Sequence, residues 1–542
     1  MTSSPSAVFR RSALAAALVA VAAPAFAPVA LAQTEPVDTA AVRIIREQGL
    51  GAPSQVMETL WWITDANGPR LTGSKGLDRA VAWATNHLRQ GGFANVRTEN
   101  WGPFGRGWTL NRFAMNASGA ATFPVIANPK AWSPSVRGTG DVVILNASTP
   151  EELASYRGKL RGKVVFVEPI RTLSEPFEPL ARRHDAASLL ALANFATDVA
   201  PAPPGPGGNP AFLNQFRIAQ ARMQLLAEEQ PLAIVDRWSK GDYGTVFSGA
   251  ASVPVPEGVS ATERPSAWMP RGQRVIPQFT LAAEHYNRIH RLVSRGMPVS
   301  LTIDMDATYD ESDPMEQNVL AEIPGTDKAD EVVMLGAHFD SWHAGTGVTD
   351  NGSGSAVMME AMRILRETFA QRGVQPRRTI RLALWTGEEQ GLLGSRAYVS
   401  QHFGSRAPAG GALTTTPANE KVSGYFNMDN GTGKIRGVYL QGNEAIAPVF
   451  RAWLRPFQDL GASTLTVQNT GGTDHLAFDA VGIPGFQFIQ EEMAYSTRTH
   501  HSNMDVYDHA SAEDLKQAAT IIASFVYHTA MRDQPLPRKT AR

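Results

Sequence analysis

EVVMLGAHFD, residues 331–340, is the stretch that decides the fold, because it is an apolar run of strand length that ends in polar side chains. RTIRLALWTGEE (378–389) and VSGYFNMDN (422–430) repeat this pattern. Between the first two lies SGSAVMMEAMRILRETFA (353–370), whose apolar residues recur at helical spacing. Buried strands that alternate with helices predict an α/β fold, with a mostly parallel or mixed central sheet and helices on both faces.

Acidic and histidine side chains follow each of these strands, at the edge where open parallel sheets bind their ligands. Two further polar segments, TDNGSG (349–354) and THHSNMD (499–505), carry similar residues. Taken singly, such residues commonly form hydrogen-bonded pairs, helix starts or turns. Gathered at one sheet edge, they favour a site for a divalent cation instead. The candidates are His338, Asp340, Asp350, Glu388, Glu389, Asp429, His500, His501 and Asp505.

The donor set suits two zinc ions. The chain contains no cysteine, so zinc would have only histidine and carboxylate ligands. Two zinc ions about 3.5–4 Å apart need one carboxylate that binds both and further ligands for each. The candidates then divide into a bridging residue, a pair for one ion and a pair for the other: Asp350; His338 with Asp429; and Glu389 with His500 or His501.

Glu388 stands beside a predicted ligand and is free to move protons. We expect it to act as general base and later as general acid, on a water that loses its proton more easily between two cations. Asp340 is predicted to hydrogen-bond to the ring of His338, and Asp505 to that of His501. The residues alone therefore predict two zinc ions with water as the attacking group.

Six motifs in one order resemble the M28 family of zinc peptidases: GAHFDSW, TDNGSGSAV, RLALWTGEEQGLLGS, FNMDNG, GTDHLAF and HHSNMD. They lie between about residues 316 and 535 and are most similar to the carboxypeptidase Q-like enzymes of that family. The resemblance implies a secreted exopeptidase with two Zn²⁺ per chain, either an aminopeptidase or a carboxypeptidase Q-like dipeptidase. It implies a general base and five ligands: Glu388; His338, Asp350, Glu389, Asp429 and His501.

The resemblance also separates the two adjacent histidines. The Ser-x-x-Asp that follows His501 matches the family pattern around the last ligand. Many relatives place before that ligand a tyrosine that donates a hydrogen bond to the developing oxyanion. His500 stands there and is predicted to donate the same bond, with plain packing as the alternative. Asp474 and His475 match a substrate-side motif without an assigned catalytic role, and His343 is predicted to be a polar loop residue.

The chain divides into five predicted regions. Its start has two arginines, an apolar run and Ala30-Leu31-Ala32, as in a cleaved signal peptide, with a membrane anchor as the alternative. Short β-rich runs between turn residues predict an inserted domain, and the resemblance implies a protease-associated domain that is accessory to catalysis. The regions are a signal peptide (1–32), the N-terminal segment of the catalytic domain (33–119), the inserted protease-associated domain (120–300), the C-terminal segment of the catalytic domain with the predicted zinc site (301–535) and a tail (536–542).

The bulk composition limits the partners. A formal net charge of −1 argues against nucleic acid, and no later stretch is apolar for about 18 residues, so no membrane contact is expected after signal cleavage. We expect a secreted or periplasmic enzyme that acts on peptides, and the resemblance adds a homodimer.

Two other functions remain open on the sequence alone. One is a glutaminyl-cyclase-like acyltransferase, which shares the fold and uses one metal. The other is a non-catalytic receptor-like homologue, which would have lost ligands, whereas the ligand set here is complete. The sequence does not predict which peptide terminus is recognised.

Overall fold

The computed structural model describes residues 35–195, 210–256, 258–259, 263–269, 274–407 and 411–539. The predicted signal peptide, and the Pro-rich stretch 201–210 except its last residue, lie outside these ranges. The strands, in chain order, are β1 (Ala94–Trp101), β2 (Gly107–Gly119), β3 (Phe123–Pro124), β4 (Ala127–Pro129), β5 (Val136–Ile144), β6 (Val164–Phe166), β7 (Ala233–Asp236), β8 (Gln278–Leu281), β9 (Val299–Asp310), β10 (Glu316–Ile323), β11 (Lys328–His338), β12 (Arg378–Trp385), β13 (Gly404–Arg406), β14 (Leu413–Thr415), β15 (Val422–Asn427), β16 (Ile435–Tyr439), β17 (Thr464–Thr466) and β18 (Gly485–Gln490).

The α-helices alternate with these strands in the C-terminal half of the chain. They are α1 (Thr39–Leu50), α2 (Val56–Trp61), α3 (Lys75–Gln90), α4 (Pro150–Ala154), α5 (Ala186–Ala193), α6 (Pro210–Glu229), α7 (Ala283–Val293), α8 (Ser353–Arg372), α9 (Leu393–His402), α10 (Pro417–Lys421), α11 (Ala447–Leu454), α12 (His475–Asp479) and α13 (Ala512–Met531).

The central sheet has eight strands in the order β1-β10-β12-β11-β15-β18-β16-β17. In its middle, β11 pairs in parallel with β12 and β15, and β15 pairs in parallel with β18. Towards its two edges, β1 with β10, β10 with β12, and β16 with β18 are antiparallel. The predicted mixed sheet with a parallel centre is therefore confirmed.

Helices cover both faces of this sheet, which explains why β11 is apolar and buried from Val332 to Ala337. Val333 and Leu335 point to one side and pack in a cluster with Ile364 of α8. Met334 points to the other side and packs in a cluster with Phe478 of α12. Full burial of such side chains contributes about 1.5–3 kcal/mol each. α1 and α13 both pack against α8 in the first of these clusters.

A second sheet of eight strands has the order β3-β2-β9-β5-β6-β7-β8-β4. Its two long strands, β2 and β9, are antiparallel partners from Gly107↔Asp310 to Gly119↔Val299. Strands β3 to β8 lie within residues 120–300, whereas β2 and most of β9 lie outside that stretch. The limits of the predicted inserted domain and its protease-associated character stay predictions.

Aromatic side chains join the two sheets. Trp101 from β1, Trp108 from β2 and Trp132 from the loop after β4 share one buried cluster, and Trp342 from the loop after β11 packs against it. The rings of Trp132 and Trp342 meet edge to face with centroids 6.3 Å apart. The second sheet thus contacts the loop that follows the central strand. In the described ranges of the chain, every helix is too short or too polar to cross a membrane.

Candidate metal centre

Three parallel strands of the central sheet end side by side. The register pairs His338 at the end of β11 with Trp385 at the end of β12. It also pairs Gly336 of β11 with Asn427 at the end of β15. Because parallel strands share one carboxyl edge, the residues just after β12 and β15 come close to His338. Glu388, Glu389 and Asp429 all follow these strand ends by two to four residues.

His338 forms a buried cluster with two carboxylates. Its Nε2 atom lies 3.2 Å from Oδ1 of Asp350 and 3.5 Å from Oδ1 of Asp429. Its other ring nitrogen, Nδ1, lies 3.1 Å from the backbone carbonyl of Asp340 and 3.6 Å from the carboxylate of that residue. A hydrogen bond from Nδ1 would leave Nε2 free to bind a metal together with the two carboxylates.

His501 forms a second cluster around the other oxygen of the same aspartate. Its Nε2 atom lies 3.0 Å from Oδ2 of Asp350 and 3.0 Å from Oε2 of Glu389. Asp350 therefore directs one carboxylate oxygen to each cluster. The Asp350–Asn351 peptide bond is cis. The structure brings together all five sequence-predicted ligands.

His500 lies beside the second cluster. Its ring stacks on that of His501 with centroids 3.7 Å apart, and its Nε2 atom lies 3.7 Å from Oδ2 of Asp350. Burial lowers the pKa of His500 to about 4, so the ring is neutral at physiological pH. A neutral imidazole can donate one hydrogen bond, and 36% of this side chain is exposed to a ligand from outside. Its predicted donor role stays a prediction.

The donors are arranged for a cation rather than for each other. Oε1 of Glu389 and Oδ1 of Asp429 are buried without a hydrogen-bond partner. Oδ2 of Asp350 lies 3.0 Å from a ring nitrogen of His501, yet without hydrogen-bond geometry. Unpaired buried carboxylate oxygens cost several kcal/mol unless a cation neutralises them. The residues present therefore fit zinc bound by histidine and carboxylate oxygen.

The raised pKa values of the two histidines also indicate that the cluster suits a cation. Burial alone would lower the pKa of His338, but the carboxylates of Asp429 and Glu388 raise it well above its ordinary value. Burial likewise opposes protonation of His501, yet Glu389 and Asp350 raise its pKa to about 10. Protons on the two rings thus supply positive charge that a bound metal would supply instead.

Glu388 lies beside the same cluster, and its carboxyl group interacts electrostatically with His338 and Asp429. Its backbone amide donates to Oδ1 of Asp340 over 3.2 Å, which fixes the turn after β12. Burial raises the pKa of Glu388 well above its ordinary value; the nearby His338 opposes this, and Asp429 and Asp474 add to it. A carboxyl group with a raised pKa accepts a proton more readily than an ordinary carboxylate, as a general base requires.

The carboxylates of the two other predicted acids accept hydrogen bonds from backbone amides. Asp340 accepts hydrogen bonds from the hydroxyl of Thr72 and from the amides of Glu388 and Glu389. Asp505 accepts from the amides of Thr349 and Asp350, over 2.5 Å and 3.2 Å. The prediction that Asp505 orients the ring of His501 is therefore wrong: it orients the backbone of the bridging residue. Asp340 contacts His338 mainly through its carbonyl group.

Arg70 has no signal in the sequence that predicts a role. Its buried guanidinium lies under the loop between the first two ligands and donates to four backbone carbonyls: those of Ile63, Phe339, Thr346 and Gly347. Burial lowers the pKa of Arg70 to about 10, and the nearby Asp505 and Asp340 oppose the shift, so the group stays charged. No local motif marks it, because all but one of its partners lie more than 260 residues away.

A chain of buried hydrogen bonds ties the strand ends together beneath the cluster. Trp385 donates from its ring nitrogen to the hydroxyl of Tyr425, which donates to Oδ1 of Asn427. The amide of Asn427 donates to Thr473 and to Gln487, and Gln487 donates to the carbonyl of Asp429. These bonds cross β12, β15 and β18, and they fix the spacing of the strand ends that carry the ligands.

His343 and His475, two histidines that the sequence motifs single out, have ring nitrogens close to backbone carbonyls. His343 is half-buried, with its Nε2 atom 2.8 Å from the carbonyl of Pro129 in β4, and its ring meets Trp108 edge to face. His475 is buried at the start of α12, with its Nε2 atom 3.2 Å from the carbonyl of Thr470. Both serve packing contacts.

A mixed α/β sheet with histidines and carboxylates gathered at its parallel strand ends defines a zinc metallopeptidase, and the chain is of this class. Residues 318–526 match the model of peptidase family M28. Carboxypeptidase Q of Mus musculus is 25% identical over 482 residues, which are 89% of this chain and 87% of the relative. Leupeptin-inactivating enzyme 1 of Streptomyces exfoliatus is 33% identical over 182 residues, 33% of this chain and 36% of the relative.

Solved structures share the fold over most of the chain. The peptidase M28 precursor from Shewanella amazonensis has a TM-score of 0.62 at 22% identity, covering 93% of this chain and 100% of its own. A zinc aminopeptidase from Bacillus subtilis has a TM-score of 0.52 at 17% identity, covering 89% of this chain and 97% of its own.

Proposed function

We propose that the chain is an exported exopeptidase with two zinc ions that hydrolyses the peptide bond at a chain end, with Glu388 as general base. The observation that carries the proposal is the pair of clusters around Asp350, one at each of its carboxylate oxygens. A one-metal enzyme has no need for a carboxylate shared in this way. The names of the relatives, carboxypeptidase Q and zinc aminopeptidase, support cleavage at a chain end.

The residues divide between the two ions by distance. His338 and Asp429 would hold one ion, and Glu389 and His501 the other, with Asp350 between them. Two zinc ions at this place would polarise the scissile carbonyl and make an attacking water more acidic.

The protein groups then move the proton. Glu388 takes it from the attacking water and passes it to the leaving amine, which suits a buried carboxyl group with a raised pKa. His500, neutral and partly exposed beside the cluster, is placed to donate a hydrogen bond to the developing oxyanion. The carboxylate of Asp340 accepts hydrogen bonds from the amides of Glu388 and Glu389, so the base and the adjacent ligand are held in the same turn.

Export rests on the sequence, since the basic and apolar start with Ala30-Leu31-Ala32 has the form of a cleaved signal. A secreted or periplasmic location follows from it. N-terminal sequencing of the protein recovered outside the cytoplasm should begin near residue 33, and recovery of the full chain in the cytoplasmic fraction would contradict export.

Glu388→Gln tests the general base. The variant should bind two zinc ions, because Glu388 is not needed as a ligand, and lose about 10²- to 10⁴-fold in kcat. Glu367→Gln on the outer side of α8 is the matched control and should keep both metal and activity. Near-normal turnover by Glu388→Gln with two zinc ions bound would remove Glu388 from the role. One zinc ion per chain in the unaltered protein would favour the cyclase-like function.

A digest of short peptides blocked at either end tests the substrate class. Loss of cleavage after N-acetylation indicates an aminopeptidase, and loss after C-amidation a carboxypeptidase. Loss with either block indicates a dipeptidase. Cleavage that tolerates both blocks in the same peptide would contradict an exopeptidase, and mass spectrometry of the products distinguishes these results.

A further inference from the structure

His501 has a backbone conformation that its own side chain does not favour. Its φ angle is +61°, in the left-handed region where residues other than glycine are uncommon. Such a conformation persists only where surrounding contacts impose it. The predicted ligand is therefore held by its neighbours, and the question is which segment of the chain supplies them.

The neighbours come from the segment that joins β7 to β8 of the second sheet. Residues 240–248, here called the bracing segment, follow β7 and run antiparallel to the loop that carries His501. The amide of Ser248 donates to the carbonyl of His501 over 2.9 Å. The amide of Asn503 donates to the carbonyl of Val246 over 3.1 Å. These two hydrogen bonds lie on either side of Ser502, which forms an isolated antiparallel β-bridge with Phe247.

The side chain of Asn503 adds two hydrogen bonds to the bracing segment. Its Oδ1 accepts from the amide of Val246 over 2.7 Å, and its Nδ2 donates to the carbonyl of Gly244 over 3.2 Å. Asn503 thus makes three hydrogen bonds to the bracing segment, counting its own amide. No shorter side chain can reproduce both the acceptor and the donor.

Charged groups hold the start of the same loop. The guanidinium of Arg498 pairs with the carboxylate of Asp242 and lies 3.3 Å from the hydroxyl of Thr245. The ammonium group of Lys240 donates to the carbonyl of Ser496 over 2.9 Å. The bracing segment therefore contacts the loop at both ends of the turn that carries His501.

The two proposed metal sites differ in whether the bracing segment contacts them. His338 and Asp429 follow directly from β11 and β15, whose ladders fix them. In the ranges that the structure describes, the hydrogen bonds of the bracing segment reach residues 496–503 and neither of those two strands. The hydrogen bonds of the bracing segment thus involve the loop of one proposed site and not the strands of the other.

We propose that the second sheet belongs to the metal centre: the bracing segment sets the position of His501, with Asn503 as the positioning residue. The inference rests on the proposed two-zinc function and adds a role for a region that the family resemblance implies to be accessory. It concerns the affinity of the site at His501 and Glu389. Loss of a group that orients a metal ligand typically costs about 10- to 100-fold in metal affinity.

Zinc affinity of Asn503→Ala, measured by equilibrium competition with a chelating dye, tests the proposal. We expect one of two zinc ions to bind roughly 10- to 100-fold more weakly, with the other unchanged. Cobalt spectra at one and two equivalents should show the second equivalent binding incompletely. Tyr243→Ala, which removes a side chain that is 68% exposed from the same segment, is the matched control and should match the unaltered protein.

Asn503→Asp is a second variant that keeps the acceptor for Val246 and loses the donor to Gly244. It should fold if the alanine variant does not, and show a smaller loss at the same site. Parent affinity for both ions in both variants would overturn the proposal, as would equal weakening of both sites together with a lower unfolding temperature. An unaltered protein that binds fewer than two zinc ions would overturn the proposed function, and this inference with it.

Discussion

Zinc binding should release protons, and the structure gives their number. Carboxylates raise the pKa of His501 to about 10, so its ring is protonated at pH 8 in the metal-free protein. They also raise the pKa of His338 well above its ordinary value, which favours the protonated ring there too. Zinc binds only the neutral imidazole. Each proposed site therefore gives up one proton, about two for the pair.

Glu389 and His500 add little at this pH, whereas the raised pKa of Glu388 can only add to the count of released protons. Burial and Asp350 raise the pKa of Glu389 to about 7, so only about a tenth of it is protonated at pH 8. His500, with a pKa lowered to about 4, is already neutral. Protons lost from water would add to the total, so two is the lower bound.

Calorimetric titration of metal-free protein with zinc at pH 8 measures this number. The observed enthalpy is compared in two buffers that bind zinc weakly and differ in ionisation enthalpy, and the slope is the count of protons released. His500→Ala should leave the count near two, whereas His501→Ala should lower it by about one. A slope below one proton in the unaltered protein, with two zinc ions bound, would refute the reasoning about the two histidines.

Two further predictions concern stability. Arg70→Met leaves four backbone carbonyls without their donor, so the free energy of unfolding in denaturant should fall by about 4 kcal/mol at about 1 kcal/mol per bond. Arg70→Lys should recover some of this, and a loss below about 1 kcal/mol would show that the loop has other support. The metal-free protein should also unfold at a lower temperature at pH 8 than at pH 5.5. Burial raises the pKa of Glu389 and Asp505 to about 7, so their destabilising charge is absent below the unfolded pKa near 4 and present above pH 7. His501, with its pKa raised to about 10, acts in the same direction, because its contribution is complete below pH 6.5 and declines as pH rises towards 10. An unfolding temperature that does not change between these two pH values would contradict the predicted loss of stability at higher pH.

The sequence predicts those residues of the site that lie at the end of a regular strand or just after it. The ends of β11, β12 and β15 follow from apolar runs that stop at polar residues, and His338, Glu389 and Asp429 lie at those ends. One rule about parallel sheets is enough to bring them together. These signals are local, since each lies within about ten residues of sequence.

The remaining features depend on contacts between distant segments. Arg70 lies under a loop whose residues are more than 260 positions further along the chain, and nothing in its own neighbourhood marks it. The bracing of His501 by residues 240–248 is equally invisible, because Asn503 reads as an ordinary loop residue. Asp505 shows the same limit, since its spacing from His501 suggested a contact that the fold directs to Thr349 instead.

The packing of α1 and α13 on α8 sets an order of events during synthesis. α8 has its apolar face covered only after α13, residues Ala512–Met531, has left the ribosome, about 470 residues later than α1. His501 emerges almost as late. A nascent chain thus has neither a closed core nor the full set of candidate metal donors until translation is nearly over, so folding of this domain cannot be completed before that point.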